Sequence, residues 1–275
     1  MVVMKNRNRG KYTFANINLF GRCNLDCYFC LGKDLGSKVG ELNHLRDHHQ
    51  HWKQFPEFLE MCKEEGIKKI YITGQTADSL QYPALFELVH VLQHYQGFKV
   101  GLRTNGLLAP KKMDTINLCK LGASYTIHGL DPMTVKMITG SSMMPDWHEI
   151  FIQTKRPRAA IVVNRCNVMQ IMELLDYCTS LPNLTYLQVR KVSTDTRLHL
   201  LDADMQAFET AHVVAAQNLE RKDTIYGDAP VYTMNGKDVV FWRTVQTDAN
   251  SFNYFTDGTI SKNYFIVEGY QRETN

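Results

Sequence analysis

The chain predicts an α/β fold in which parallel strands are covered by helices. Three observations carry that expectation. Six short apolar runs are each followed by a segment with helical spacing, the rhythm of β–α units. Polar, small and Gly-rich residues fall directly after the apolar runs, where parallel α/β folds collect ligands. The length of 275 residues and 44% hydrophobic content suffice for a full core.

The elements follow in order. KYTFANINLF (11–20) reads as a strand running into a cysteine-rich loop. FPEFLEMCKEEG has apolar residues at helical spacing and stops at Gly66. IKKIYITG (67–74) is a buried strand, and YPALFELVHVLQHYQG a helix with Pro83 in its first turn and Gly97 as its stop. FKVGLRTNG is a strand and turn, APKKMDTINLCKLG a helix, ASYTIHG a strand, and DPMTVKMITG a helix with Pro132 first after Asp131. RAAIVVN is a strand, VMQIMELLDYCTS a helix, NLTYLQVRKV a strand, and DADMQAFETAHVVAAQNLE a final amphipathic helix. The segment after it breaks this rhythm. Strand-like runs separated by NG, DAN and DG turn signals predict two hairpins rich in Tyr and Phe, with Trp242 and Arg243. The expected division is residues 1–222 as the main α/β domain and 223–275 as a β-hairpin extension packing on it.

Composition excludes several classes. The net charge of +3 shows no basic stripe, so no nucleic-acid partner is expected. The start MKNRNRGKY is not followed by a long apolar stretch, and no window approaches eighteen apolar residues, so neither a signal peptide nor a membrane span is expected. Cysteines number seven, and Cys62, Cys119, Cys166 and Cys178 are scattered along apolar segments. That pattern predicts buried thiols in a reducing, cytoplasmic setting.

The other three, Cys23, Cys27 and Cys30, crowd into GRCNLDCYFC with spacing C-x3-C-x2-C and Phe29 before the last. A disulfide would leave one thiol over and close too short a loop to gain much. Structural zinc wants four ligands, and the nearest candidates for a Cys3His set are His44, His48, His49 and His51 in LNHLRDHHQHWKQ. Those histidines otherwise read as a solvated helix face or its lead-in, or as a lid over the cysteine loop. An iron–sulfur cluster that only carries electrons takes four thiolates. Three thiolates would leave one iron open to an outside ligand.

This spacing, with its aromatic residue, resembles the signature of radical S-adenosylmethionine (SAM) enzymes. In that family the open iron of a 4Fe–4S cluster chelates SAM, whose reductive cleavage yields a 5′-deoxyadenosyl radical that abstracts hydrogen from a substrate. The resemblance spans roughly residues 12 to 192 and is closest to the branch containing the molybdenum-cofactor cyclase and peptide-modifying enzymes. It implies a partial (β/α)6 TIM-like barrel, with the cluster held by Cys23, Cys27 and Cys30 and Phe29 beside the cofactor. TGQTADS is similar to the family's TGGEP strand end. Thr73 and Gly74 align, while Gln75 and Thr76 replace the second glycine and the acid. Backbone carbonyls there would accept from the SAM ammonium, with Gln75 or Asp78 substituting in part. LRTNGLL resembles the family's TNG turn and places Thr104 and Asn105 near the cluster. YTIHGLDPMTVKMITG matches a family stretch with His128 at a common Asp position. VVNRCNVMQ places Asn164 and Arg165 at the SAM ribose and carboxylate end.

His128 reads either as a neutral strand-end histidine bonded to a neighbour, or as a substrate or ribose contact or acid/base. Gln188 and Arg190 end the sixth strand as candidate binders of substrate or the SAM carboxylate. No cysteine follows Cys178, so an auxiliary cluster is not expected. The expected activity is hydrogen abstraction from a small-molecule substrate such as a nucleotide, sugar or biosynthetic intermediate. An external one-electron donor such as flavodoxin or ferredoxin would serve it. The alternatives are a glycyl-radical-enzyme activase, a peptide-modifying radical SAM enzyme, and a non-enzymatic zinc-binding interaction module.

Overall fold

The computed structural model describes residues 13–30, 32, 42–192, 200–225, 228–242 and 251–261. The first two positions of the expected opening strand, Arg243 and the end of the second expected hairpin lie outside them. The described chain divides into two compact units. The N-terminal unit holds 13–26, 30, 32, 42–124 and 251–261, and the C-terminal unit holds 27–29, 125–192, 200–225 and 228–242.

In the N-terminal unit, β1 (Phe14–Leu19), β2 (Lys69–Gly74) and β3 (Lys99–Thr104) run parallel, with Asn18 beside Thr73 and Ile70 beside Val100. Helix α1 (Phe55–Glu64) buries Phe55, Phe58, Leu59 and Cys62, the three-and-four spacing of one helix face. It ends at Gly66, whose φ of 69° needs no Cβ. Gly66 N–H donates to Lys63 O (2.9 Å) and Ile67 N–H to Cys62 O (2.8 Å), the paired bonds of a Schellman end.

Helix α2 (Leu85–His90) is shorter than the sequence suggests. It begins after Pro83 and runs into a π-helical turn, Val91–Tyr95. Buried Gln93, within that turn, explains the local geometry. Its amide donates to Leu118 O (2.9 Å) and accepts from Val100 N–H (3.2 Å) and Lys120 N–H (2.8 Å). Helix α3 (Met113–Leu118) follows a short 3-10 turn, Ala109–Lys111.

The late segment keeps the expected hairpin across the turn at Asp257 and Gly258 and adds a parallel pairing that the sequence did not predict. Strand β10 (Ser251–Phe255) lies parallel to β1, with every position buried, and β11 (Ile260–Ser261) is antiparallel to β10. Asn16 Nδ2 donates to Asn253 Oδ1 (2.8 Å) between the two parallel strands. Strand order within this unit is β11-β10-β1-β2-β3.

Strand β4 (Ala123–Thr126) begins in the N-terminal unit and ends in the other. The C-terminal unit continues with α4 (Pro132–Thr139), α5 (Trp147–Gln153), β5 (Pro157–Val163), α6 (Ile171–Ser180), β6 (Leu187–Lys191) and α7 (Asp202–Asn218). Asp131 caps α4 as the sequence predicts, accepting from Thr134 N–H (2.8 Å), with Pro132 at the first turn. Helix α5 goes beyond the sequence reading. Asp146 caps it, accepting from Glu149 N–H (3.0 Å), and it buries Trp147, Ile150 and Phe151.

α7 stops at Asn218, and the chain then forms β7 (Glu220–Ile225), β8 (Ala229–Met234) and β9 (Lys237–Trp242). The expected NG turn joins β8 and β9, with Asn235 at φ 49° and Gly236 at φ 72°. Beyond that hairpin, β9 lies parallel to β6, giving the order β5-β6-β9-β8-β7. Exposed, charged β7 ends this row, a composition that discourages further strand addition. Among the described residues, no helix is long and apolar enough to cross a membrane.

Candidate functional site

The loop leaving β1 carries Cys23, Cys27 and Cys30, each half-buried and outside any disulfide. Cys23 and Cys30 belong to the N-terminal unit, and Cys27 to the C-terminal unit.

At the tip of β2, the Cys30 thiol lies 3.8 Å from Gln75 O. Gln75 is held twice: its N–H donates to Leu19 O (3.1 Å) and its amide to Asn18 Oδ1 (3.0 Å). Thr76 Oγ1 accepts from Gly21 N–H (2.9 Å). Thr73, Gln75 and Thr76 are all buried. Gly74 is required by space, because a Cβ there would lie 1.4 Å from Ala77 O. Gly32 is confined to a lesser degree, its Cβ position 2.6 Å from Thr76 Cγ2.

The tip of β3 is tied to the tip of β2 through Asp78. Thr104 Oγ1 lies 2.8 and 2.9 Å from the two carboxylate oxygens, and the N–H groups of Asn105 (2.6 Å) and Leu80 (2.9 Å) donate to them. Burial raises the Asp78 pKa despite these bonds. Its carboxylate is thus engaged in joining two strand tips, whereas the sequence offered it as a stand-in cofactor ligand. Asn105 in turn reaches the cysteine loop, with its amide 2.8 Å from Asn24 Oδ1 and 3.8 Å from Cys23 Sγ.

Within the C-terminal unit, His128 follows β4. Its Nε2 lies 4.0 Å from Cys27 Sγ, and its ring centroid is 6.1 Å from that of Phe29. Burial pushes its pKa down to about 4, so the ring is neutral at pH 7. Its Nδ1 has no hydrogen-bond partner among the described residues, so the simplest reading, a histidine bonded through its ring to a neighbour, accounts for only one side of it. Asn167 fixes the backbone beneath by donating to His128 O (3.0 Å).

Between the last two cysteines, Tyr28 is clamped. Its N–H donates to Ile138 O (3.0 Å) and its hydroxyl to Asp204. The Arg165 guanidinium pairs with Asp204 and sits 4.4 Å over the Tyr28 ring, and Arg165 N–H donates to Asp204 Oδ1 (3.0 Å). Burial alone would raise the Asp204 carboxyl. The Tyr28 hydroxyl, the Arg165 and Leu201 N–H groups and the Arg165 charge outweigh it and hold the carboxyl below its usual range. Arg165 therefore acts here on the cysteine loop. Asn164 is likewise engaged locally, donating to Val162 O (2.9 Å) and accepting from Cys166 N–H (3.0 Å). Gln188 and Arg190 occupy alternate, half-buried positions of β6, flanked by fully buried Leu187 and Val189.

Asp204 is the residue that sequence reasoning missed. Its available signal was an acid in the first turn of a helix, which alone reads as a cap. Cys62, Cys119 and Cys178 are buried as expected, but Cys166 is half-buried beside the Tyr28 hydroxyl. The four histidines precede α1, with His48 capping a 3-10 turn, His49–His51. His49 is buried, so the segment is more than a solvated face. Recorded partners of His44, His48 and His49 are Asp47, Glu87 and Tyr82, and a Cys3His zinc set gains no support.

The donor set fits an iron–sulfur cluster. Soft thiols are the ligands such clusters take, and none of the three is committed to a disulfide. The Cys23 thiol is pushed up to about 12, first by burial and further by the charges of Asp78 and Cys30. A thiol held protonated by burial and neighbouring negative charge gives up its proton to a bound metal, whose charge stabilises the thiolate. Asn105 supplies the kind of amide donor that supports a metal-bound sulfur.

A scan of protein-family models finds no match to the chain. Among curated proteins, it is 25% identical over 176 residues to the GTP 3′,8-cyclase of Aquifex aeolicus (strain VF5), covering 61% of this chain and 52% of the relative. It is 22% identical over 183 residues to a probable GTP 3′,8-cyclase of Methanococcus maripaludis (strain DSM 14266), covering 64% and 58%. An S-adenosylmethionine-dependent nucleotide dehydratase of Thermoplasmatales archaeon (strain ISO4-H5) is 29% identical over 98 residues, covering 36% and 31%. The chain thus spans at most 58% of the length of these relatives.

Among solved structures, Streptococcus suis SuiB bound to S-adenosylmethionine matches with a TM-score of 0.60 at 15% identity, covering 93% of this chain and 62% of that one. Native anSMEcpe with bound AdoMet matches with a TM-score of 0.54 at 13% identity, covering 91% and 75%. These two likenesses concern the fold. The cysteine loop and the sequence relatives ally the chain with the radical S-adenosylmethionine enzymes, whose cofactors are a 4Fe–4S cluster and SAM, and the two structures agree with it in fold.

Proposed function

We propose that the chain is a radical SAM enzyme acting on a nucleotide, with Cys23, Cys27 and Cys30 holding the cluster. One observation carries this reading. Three strand tips each set a residue against one cysteine of the C-x3-C-x2-C loop: Gln75 against Cys30, Asn105 against Cys23 and His128 against Cys27. The nucleotide class is supported by the names of the sequence relatives, two GTP cyclases and a nucleotide dehydratase.

When bound, the cluster supplies one electron that cleaves SAM and starts hydrogen abstraction. The chain's own residues do the positioning. Thr73, Gly74 and Gln75 present backbone carbonyls to the SAM ammonium at the turn that Gly74 makes possible. Asn105, held by Asp78 together with Thr104, donates toward the Cys23 sulfur and tempers its charge. Phe29 and neutral His128 form an apolar wall beside Cys27 that excludes water, and the unengaged His128 Nδ1 contacts SAM ribose or substrate. Arg190 and Gln188 bind an anionic group, for which the planar Arg fork is suited. Arg165 and Asn164 hold their own loop and, through Asp204 and Tyr28, the cysteine loop. A flavodoxin or ferredoxin serves as external electron donor.

The test is anaerobic reconstitution followed by incubation with SAM, a reductant and a panel of nucleoside triphosphates. Iron and sulfide near four each per chain, and 5′-deoxyadenosine released only with one nucleotide, are expected. Replacing any one of Cys23, Cys27 or Cys30 by Ala should abolish that release. Tightly bound zinc without iron after reconstitution would sink the reading.

A further inference from the structure

Outside the cysteine loop, the N-terminal unit gathers His48, His49 and Glu87, whose ligand atoms all lie within 4.8 Å of one another. His48 and His49 open the 3-10 turn ahead of α1, and Glu87 is in the first turn of α2. His48 Nε2 is 3.1 Å from Glu87 Oε2, while His49 Nε2 is 3.8 Å from Glu87 Oε1.

The hydrogen bonds around His49 reach only one side of its ring. Tyr82 Oη lies 3.3 Å from Asp47 O and accepts from His49 N–H (2.8 Å). The same hydroxyl lies 3.2 Å from His49 Nδ1 and engages that nitrogen, whichever of the two carries the proton. Nε2 is the side left over. His49 is 3% exposed, and its Nε2 has no hydrogen-bond partner among the described residues. Nε2 instead faces a Glu87 carboxylate oxygen at 3.8 Å, too far for a hydrogen bond. A buried, unpartnered imidazole nitrogen beside a carboxylate suits a cation between the two. An imidazole whose Nδ1 is held by an oxygen while Nε2 stays open is also the arrangement found at metal sites.

We infer that His48 Nε2, His49 Nε2 and the Glu87 carboxylate form a second metal site, binding one divalent ion of the zinc class. Two imidazoles and a carboxylate suit such an ion and leave one position for water or a small anion. Donors about 2.0–2.1 Å from a common ion must sit closer together than 4.8 Å. The adjustable partners are the outer two, since Glu87 is 49% and His48 33% exposed. Binding at His48 Nε2 replaces its 3.1 Å hydrogen bond with Glu87 Oε2 and, with the ring proton on Nδ1, also gives up the long 3.4 Å bond from Gln50 N–H. The ion ties the turn before α1 to α2, and His49 also lines an open concavity with Phe55, Leu59 and Glu60 that offers an entry path.

The test must separate this site from the cysteine loop, because thiolates also take zinc. The full chain carrying Cys23→Ala, Cys27→Ala and Cys30→Ala is titrated with Zn2+ against a chelating indicator, and with Co2+ as a spectroscopic substitute. One ion per chain, with a Co2+ spectrum free of thiolate charge-transfer bands, is expected. Adding Glu87→Gln or His48→Ala should weaken binding by about a hundredfold or more, with far-UV circular dichroism unchanged. Should the triple variant fail to fold, zinc beyond the iron complement is counted in reconstituted parent and in Glu87→Gln. No zinc in those proteins, or zinc retained when both Glu87 and His48 are replaced, overturns the assignment. Neither outcome bears on whether the cysteine loop holds a cluster.

Discussion

Replacing Asp204 by Asn should loosen the cysteine loop, and the size of the effect follows from its contacts. The carboxylate is fully buried and accepts from the Tyr28 hydroxyl, from the N–H groups of Arg165 and Leu201, and from the Arg165 guanidinium. An Asn side chain offers one acceptor oxygen and turns its NH2 toward the remaining donors, so at least one of the charged bonds is lost. Hydrogen bonds to charged groups contribute about 1.5–3 kcal/mol each. Breaking a buried ion pair costs about 3–5 kcal/mol, but Arg165 is 35% exposed, so solvent screens part of its share. A loss of about 2–4 kcal/mol is expected, which a domain of ordinary stability survives. In urea, with m near 1–3 kcal/mol/M, the midpoint should fall by about 1 M or more.

The pH dependence has a definite sign. Asp204 has a depressed folded-state pKa, so its contribution is complete above the unfolded value of about 3.9 and fades as pH falls through the folded value. The gap between parent and Asp204→Asn should therefore be full at pH 6 and shrink below about pH 4. Tyr28→Phe should show coupling to Asp204→Asn of about 0.5 kcal/mol or more in a double-mutant cycle. Iron retention after reconstitution should drop in both variants, because Tyr28 lies between Cys27 and Cys30. A midpoint shift corresponding to under about 0.5 kcal/mol, the scale of an ordinary surface change, would refute the clamp.

Gly74→Ala should destabilise by about 1–3 kcal/mol or more, read as a fall in Tm, because its Cβ would overlap Ala77 O. Thr104→Val removes the hydroxyl beside the buried Asp78 carboxylate and should cost about 1–3 kcal/mol in denaturant unfolding; an unchanged midpoint would argue against the link between strand tips. His128→Ala and Arg190→Ala should keep iron content and SAM binding by calorimetry yet lose most product, so product formation at the parent rate would move the site elsewhere. Replacing Cys62, Cys119, Cys166 and Cys178 together should lower stability but leave iron per chain near the parent value, and iron at half that value would reveal a second thiolate site.

Removing the chain from Val231 onward is no clean probe of the site. It deletes β9, which pairs with β6 beneath Arg190, and β10, which pairs with β1. Loss of function in such a truncation would report lost sheet structure.

The α/β rhythm was legible because strand and helix periodicities are local, and so were the caps at Asp131 and Gly66 and the Asn235–Gly236 turn. The cysteine triad was legible for the same reason: its ligand spacing lies within eight residues. What the triad touches was decided only by tertiary structure. Sequence adjacency cannot say that Asp78 joins two strand tips, nor that Asp204 reaches back 176 positions to Tyr28. The same limit explains β10. Local turn signals reveal its hairpin partner β11, but nothing local names β1 as its parallel neighbour, and that pairing rests on burying Phe252, Tyr254 and Phe255 against distant residues. His48, His49 and Glu87 lie on segments nearly forty positions apart. Their convergence, and the Tyr82 hydroxyl that engages His49 Nδ1, exist only once α2 packs beside the turn that precedes α1.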